Sequence, residues 1–303
     1  MAGLLAHAFG SRPALDDRGR AAVAGALASP TWELIPLKSA DAQADSVPPG
    51  ATVAVTSSPA KGMAATAALA LRLHERGFRV VPHLSARLVR DRAELLEFLG
   101  PLRAAGIDRL FVVGGDPEEP GAYPDALSIL REMADLGVLP GEIGIGCYPQ
   151  GHPLISDEKL LAALEAKAPF ASYMTSQLCF DAKAIETWLA GRRAQGLSLP
   201  IRIGIPGVAE IPKLISISAK IGVHDASRFI LKNRRFVTQL LKSGGIYRPT
   251  GLLEDLGPVI ADRSANVLGL HLYTFNNMPA TVAWRDEELA ATRPDASATA
   301  RTR

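Results

Sequence analysis

The sequence predicts an α/β protein, a closed (β/α)8 TIM barrel with extra helices before the last strand. Three observations carry that expectation. Short apolar or β-branched runs alternate with longer stretches of helical period, and eight such runs occur along the 303 residues. Most runs are apolar on both faces, as in a parallel sheet covered by helices. Eight such units occupy roughly 250 residues, the usual size of a closed barrel. A doubly wound open sheet is the rival. It should carry a Gly-rich dinucleotide turn after its first strand, where this chain has "LIPLKSAD", and "GEIGIG" at 141–146 has the wrong spacing and lies within a strand.

The strand candidates are "WELIP" (32–36), "TVAVT" (52–56), "FRVVPHL" (78–84), "RLFVVGG" (109–115), "IGIGCYP" (143–149), "ASYMTSQ" (171–177), "IRIGIP" (201–206) and "VLGLHLYTF" (267–275). Between them, "GMAATAALALRLHERG" is a helix ending at Gly77, and a second runs from Asp91 to Gly106 with a kink expected at Pro101. "YPDALSILREMADLG" has Pro124 near its first turn and Gly137 after its last. Ser156 and Asp181 cap the next two. After the seventh strand, "EIPKLISISAKIG", "DASRFILKNRRFVTQLLKSGG" and "TGLLEDLGPVIAD" supply more helix than one unit needs. Residues 1–285 are read as one barrel domain with an N-terminal helical extension, and 286–303 as a disordered tail of small and polar residues.

Composition narrows the class of function. The chain is 48% hydrophobic and 21% charged, and its 33 basic against 31 acidic residues leave +2, without the concentrated basic face of a nucleic-acid binder. Cys147 and Cys179 form neither a disulfide framework nor a CxxC metal pair, so no metal site is expected. The N-terminus lacks a signal-peptide pattern, and the most apolar window, 63–73, is too short to span a bilayer. The expected setting is cytoplasmic, with no membrane partner.

A barrel holds its active site at the C-terminal strand ends. There the sequence places Glu33, Thr56, His83, Asp116, Tyr148 with His152 four residues on, Gln177, and finally Tyr273, Thr274 and Asn276. Seven of the eight strands thus bring a polar group to one rim. Singly, each has a structural explanation: a satisfied core histidine, a turn aspartate, a tyrosine packed in the barrel. Collectively, one polar group per strand at one end is poorly explained by packing. Glu33 is the sharpest case. Trp32 and Leu34 face outward toward the helices, so Glu33 faces inward, where desolvation would raise its pKa and let it hold a proton. The alternative is a structural ion pair with Lys38 or an Arg.

The ordered set "WELIP", "VPHLS", "VVGGD", "GCYPQGHP", "TSQLCFD", "GIPG" and "LHLYTFN" resembles the motif series of the methylenetetrahydrofolate reductases over about residues 30–278. The resemblance implies a barrel that binds FAD at its strand ends, takes hydride from NADH or NADPH, and reduces 5,10-methylenetetrahydrofolate to 5-methyltetrahydrofolate, a step of one-carbon metabolism that serves methionine biosynthesis. It implies roles by position. Glu33 is the acid that protonates N10, and Asp116 hydrogen-bonds the pterin beside the flavin. Gln177 and Tyr273 contact the folate substrate. Thr56, His83, Gly115, Tyr148 and His152 line the flavin, and Lys167, with Lys159 beside it in the helix, is the candidate for its phosphates. The chain departs from the family in its first strand, "WELIPLK" where an aromatic-rich "FEFFPP" is usual, and at several further positions. Ser57 replaces an aromatic, the glutamine after strand seven falls near Ser216, and Asn277 stands where an arginine is usual. A flavin-free enzyme, one working in the oxidative direction, and an inactive pterin- or flavin-binding subunit stay open at this point, as do a homo-oligomer and a partner subunit.

Overall fold

The computed structural model describes residues 15–220 and 245–292. A first helix, α1 (Asp17–Ala28), leads into β1 (Thr31–Leu34), with the Asp16 carboxylate accepting from the Gly19 amide at its start. There follow α2 (Ala40–Ala44), β2 (Thr52–Val55), α3 (Gly62–Glu75), β3 (Arg79–Ser85), α4 (Arg92–Ala104) and β4 (Arg109–Val113). Next come α5 (Ala126–Asp135), β5 (Glu142–Cys147), α6 (Asp157–Lys167), β6 (Tyr173–Ser176), α7 (Ala182–Ala194) and β7 (Ile201–Pro206). The chain continues through β8 (Ala209–Glu210), α8 (Ile211–Lys220), β9 (Ile246–Tyr247), α9 (Thr250–Ala261), β10 (Val267–Tyr273) and α10 (Met278–Ala291).

β1 to β7 and β10 close into a barrel in the order β1-β10-β7-β6-β5-β4-β3-β2, every pair parallel. Alternation along each strand separates two environments. Outward residues such as Trp32, Leu34, Val112, Ile145 and Ile203 join the helices in one large core. Each fully buried aliphatic side chain there contributes about 1.5–3 kcal/mol. Inward, Ala54, Val81, Phe111 and Tyr173 form a small separate cluster that plugs the barrel. Gly144 makes that plug fit, since a Cβ there would lie 2.5 Å from the Tyr173 ring and 2.7 Å from Phe111. Below the plug, Arg109 pairs with Glu142 at 2.9 Å, and the Arg202 guanidinium lies 5.4 Å from the Tyr173 ring centre.

All eight expected barrel strands form. Asp91 and Asp181 cap their helices as expected, whereas Ser156 makes no side-chain capping bond. α5 begins at Ala126 behind a capping box made by Asp125 and Ser128, with Pro124 directly ahead of the cap. α4 runs through Pro101 in its last turn. α8 and α9 match two of the extra helices, while the segment expected to be helical at 225–244 lies outside the described residues. A short two-stranded antiparallel sheet, β8 with β9, was not expected. α10 runs to Ala291, so residues 286–291, expected in a disordered tail, are helical. Buried Trp284 anchors that helix, donating from Nε1 to Thr250 Oγ1 at 3.0 Å.

Candidate active site

Glu33 sits opposite Ala54 of β2 and faces the barrel interior, with only 9% of its surface exposed. Its Oε2 lies 3.3 Å from Nε2 of His271, itself 3% exposed on the neighbouring β10. The backbone around the carboxyl is held as closely. Thr274 donates from its hydroxyl to the Glu33 carbonyl at 2.6 Å. Asn276 bonds Ile35 twice, accepting from its amide at 2.8 Å and donating to its carbonyl at 2.9 Å. Asn276 reaches that position because Phe275 and Asn276 both have φ of 53°, which turns the chain at the end of β10.

The neighbours of this couple are kept neutral. His83 of β3 is buried against Phe111, with ring centres 4.8 Å apart, and its Nε2 has no partner. Burial, helped by the nearby His271, pushes its pKa down to about 3. Tyr273, whose ring centre is 4.8 Å from that of His271, donates its hydroxyl to the Ser176 carbonyl at 3.0 Å. Burial, reinforced by Glu33, holds that phenol well above its ordinary range.

The barrel layer around Glu33 is half empty. Strands in such a barrel are staggered by about one residue each. By that count His83, Gly146 and Gly204 stand at the level of Glu33. A Cβ at Gly146 would meet nothing closer than 3.8 Å, so the layer is open on the β5 side. At the β5–β6 strand ends lies a cavity of about 650 Å3, bounded by the segment Cys147–Pro153, the first turns of α6, Gln177–Cys179 and the α7 side chains Trp188 and Arg192.

The residues expected at the site divide between these two regions. Glu33, His83 and Tyr273 belong to the barrel interior. Tyr148, His152 and Gln177 line the cavity. Tyr148 and His152 meet edge to face at 5.6 Å. Burial lowers the His152 pKa, a pull partly countered by Asp116, which is exposed on the bend after β4. Gln177 spends its Oε1 on the Leu178 amide at 2.8 Å. Thr56 is half-buried at the end of β2, and Gly115, with φ of 97°, lets the loop after β4 pass over Ser85, whose Oγ would be 2.0 Å from a Cβ.

Lys167 closes α6 and is not among the residues lining the cavity; its half-buried ammonium has its pKa lowered, first by burial, with Cys147 and Asp125 opposing. The lining cation is Arg192. Lys159, in the first turns of α6, is exposed and also outside the lining. Sequence reasoning overlooked Arg192, Trp188 and His271. Trp188 and Arg192 stand one turn apart on α7, and the alternation of "LHLY" turns His271 inward with Tyr273, so both signals were present.

These features define a (β/α)8 barrel with a buried acid–imidazole couple inside it and a cavity of about 650 Å3 at the β5–β6 strand ends. The methylenetetrahydrofolate reductase family model matches residues 42–284, and the chain belongs to that family, which makes it a folate-related oxidoreductase. Among solved structures, the Legionella pneumophila ChiA C-terminal domain is similar over 60% of this chain and 77% of its own, at 12% identity and a TM-score of 0.31, a likeness too loose to carry an argument. No helix among the described residues is long and apolar enough to cross a membrane.

Proposed function

We propose that the protein is a methylenetetrahydrofolate reductase that passes hydride from NADH or NADPH, by way of FAD, to 5,10-methylenetetrahydrofolate, with Glu33 as the proton donor to N10. The observation that carries this reading is the buried Glu33–His271 couple inside a barrel layer that is open at Gly146. The family match begins after β1, so the assignment of Glu33 rests on this geometry and on the motif order of the sequence.

The cavity suits a dinucleotide. Its volume accommodates one, and its walls offer the required groups. Arg192 and the uncapped first-turn amides of α6 would hold the phosphates. Asp157 and Glu158 would serve ribose hydroxyls, and Tyr148, His152 and Gln177 would border the ring system. When bound, FAD supplies the hydride relay between nicotinamide and folate.

The chain's own residues do the rest. Glu33 transfers its proton to N10 as the bond from N10 to the methylene carbon breaks. The electron pair of that bond stays on N10, the N5 lone pair forms an iminium, and hydride then adds to the methylene carbon. Water exclusion around the carboxyl makes this general-acid step effective. Asp116, on the exposed rim, hydrogen-bonds the pterin. With its hydroxyl engaged by Ser176, Tyr273 offers its ring face to the substrate. The free amide nitrogen of Gln177 turns to the folate.

Substitution Glu33→Gln tests the reading. Turnover with NADH and methylenetetrahydrofolate should fall by about 10²–10⁴-fold with folate binding retained. Full turnover in that variant would remove Glu33 from the mechanism. An absorbance spectrum of the protein as isolated tests FAD, which should show the flavin bands.

A further inference from the structure

We propose that β10 is the positioning element for the acid: His271 donates a hydrogen bond to Glu33 that strengthens as the carboxyl gives up its proton, while Thr274 and Asn276 hold the backbone that presents it. The inference rests on the proposed role of Glu33.

Three contacts converge on residues 33–35 from one strand end. The His271 contact reaches the side chain at 3.3 Å, the Thr274 hydroxyl the carbonyl of the same residue at 2.6 Å, and Asn276 both polar groups of Ile35. β1 ends at Leu34, so the Asn276 amide serves the next residue as a neighbouring strand would. Two consecutive residues at φ of 53° are costly for side chains other than glycine, and here they bring Asn276 to that position.

The chemistry needs a carboxyl that is a proton donor in one state and a stable anion in the next. A neutral imidazole with its proton on Nε2 serves both. In the starting state it donates to Oε2 while the proton sits on Oε1. After transfer the same bond is charge-assisted, so it favours the product of the step over its reactant. Among the described residues, Lys213 of α8 spends its ammonium on the Phe275 carbonyl at 2.9 Å, and the ionisable side chains nearer the couple are uncharged. His83 from β3 is neutral because burial lowers its pKa to about 3, and Tyr148 from β5 and Tyr273 from β10 stay protonated because burial raises theirs. The thiols Cys147 and Cys179 are held protonated in the same way. Asp116 lies on the exposed rim. Among these groups the donor to Glu33 is therefore His271.

The test compares His271→Leu with His271→Gln, which keeps an N–H near the position of Nε2. His271→Leu should lower kcat about tenfold, leave the folate KM within twofold, and move the alkaline limb of the kcat profile to higher pH. His271→Gln should restore most of both effects. Difference infrared spectroscopy of the protein without ligands should show the Glu33 carboxyl band of His271→Leu persisting to higher pH than in the parent, and Asn276→Ala should broaden that band. If Glu33→Gln is inactive while His271→Leu keeps the parent's kcat, pH limb and infrared titration, the positioning role is overturned and the acid assignment stands. If Glu33→Gln is fully active, the acid assignment falls, and the infrared titration still decides whether His271 governs the carboxyl.

Discussion

The two sides of the barrel mouth are built on opposite plans. On the β1–β10 side the polar groups are buried, short-ranged and already engaged: Glu33 with His271, Tyr273 with Ser176, Asn276 with Ile35. On the β5–β6 side they line about 650 Å3 of open volume, and Gln177 and His152 bond only to the backbone beside them. The first side is preorganised and can tune one proton. The second is roomy and can accept a large ligand. Catalysis by a positioned acid and capture of a bulky cofactor make opposite demands on packing, and the glycines at the level of Glu33 mark where one plan gives way to the other.

That contrast can be broken at the two glycines. Gly204→Ala should destabilise the fold by about 1–3 kcal/mol. Its Cβ would stand 2.3 Å from the Ser176 carbonyl, which is backbone and cannot swing away, and 2.6 Å from the Tyr273 ring. Gly146→Ala, with open space around the new Cβ, should unfold in urea at the parent's midpoint while weakening ligand binding. Equal midpoints for the two variants would show that the layer is not divided as described.

The buried side should also declare itself in acid. His83 has a folded-state pKa of about 3 against an ordinary 6.5, so the unfolded chain binds more protons between those values. Its contribution to stability is therefore complete above about pH 6.5 and declines as the pH falls toward 3, by about 2 kcal/mol at pH 5. His83→Leu should flatten the stability curve over that window, which urea titrations at several pH values would measure. Among these effects the smallest is expected on the open side. With FAD in the cavity as proposed, Trp188→Ala should weaken its binding about tenfold, or about 1.4 kcal/mol, as read by fluorescence titration, with little change in thermal midpoint because Trp188 is only half-buried.

Much of this was legible in the residues. Strand count, parallel pairing and the inward face of Glu33 follow from periodicity, because a two-residue repeat fixes which side each residue takes once the barrel is granted. Asp116, Tyr148 and Gln177 fall at strand ends by the same reasoning. Arg192 was overlooked because a helix sequence alone does not say which of its side chains reaches a cavity wall. His271 was overlooked because "LHLY" reads equally well as barrel packing; its value lies in a partner 238 positions away.

The sequence by itself determined the architecture and the family, since apolar periodicity and motif order are local properties repeated along the chain. Only the tertiary structure decided which polar groups meet. Closing the barrel sets β1 against β10 and brings Arg192 rather than Lys167 to the cavity. Register and helix direction are long-range quantities, settled when the whole ring of strands closes at once, and no single stretch of residues encodes them.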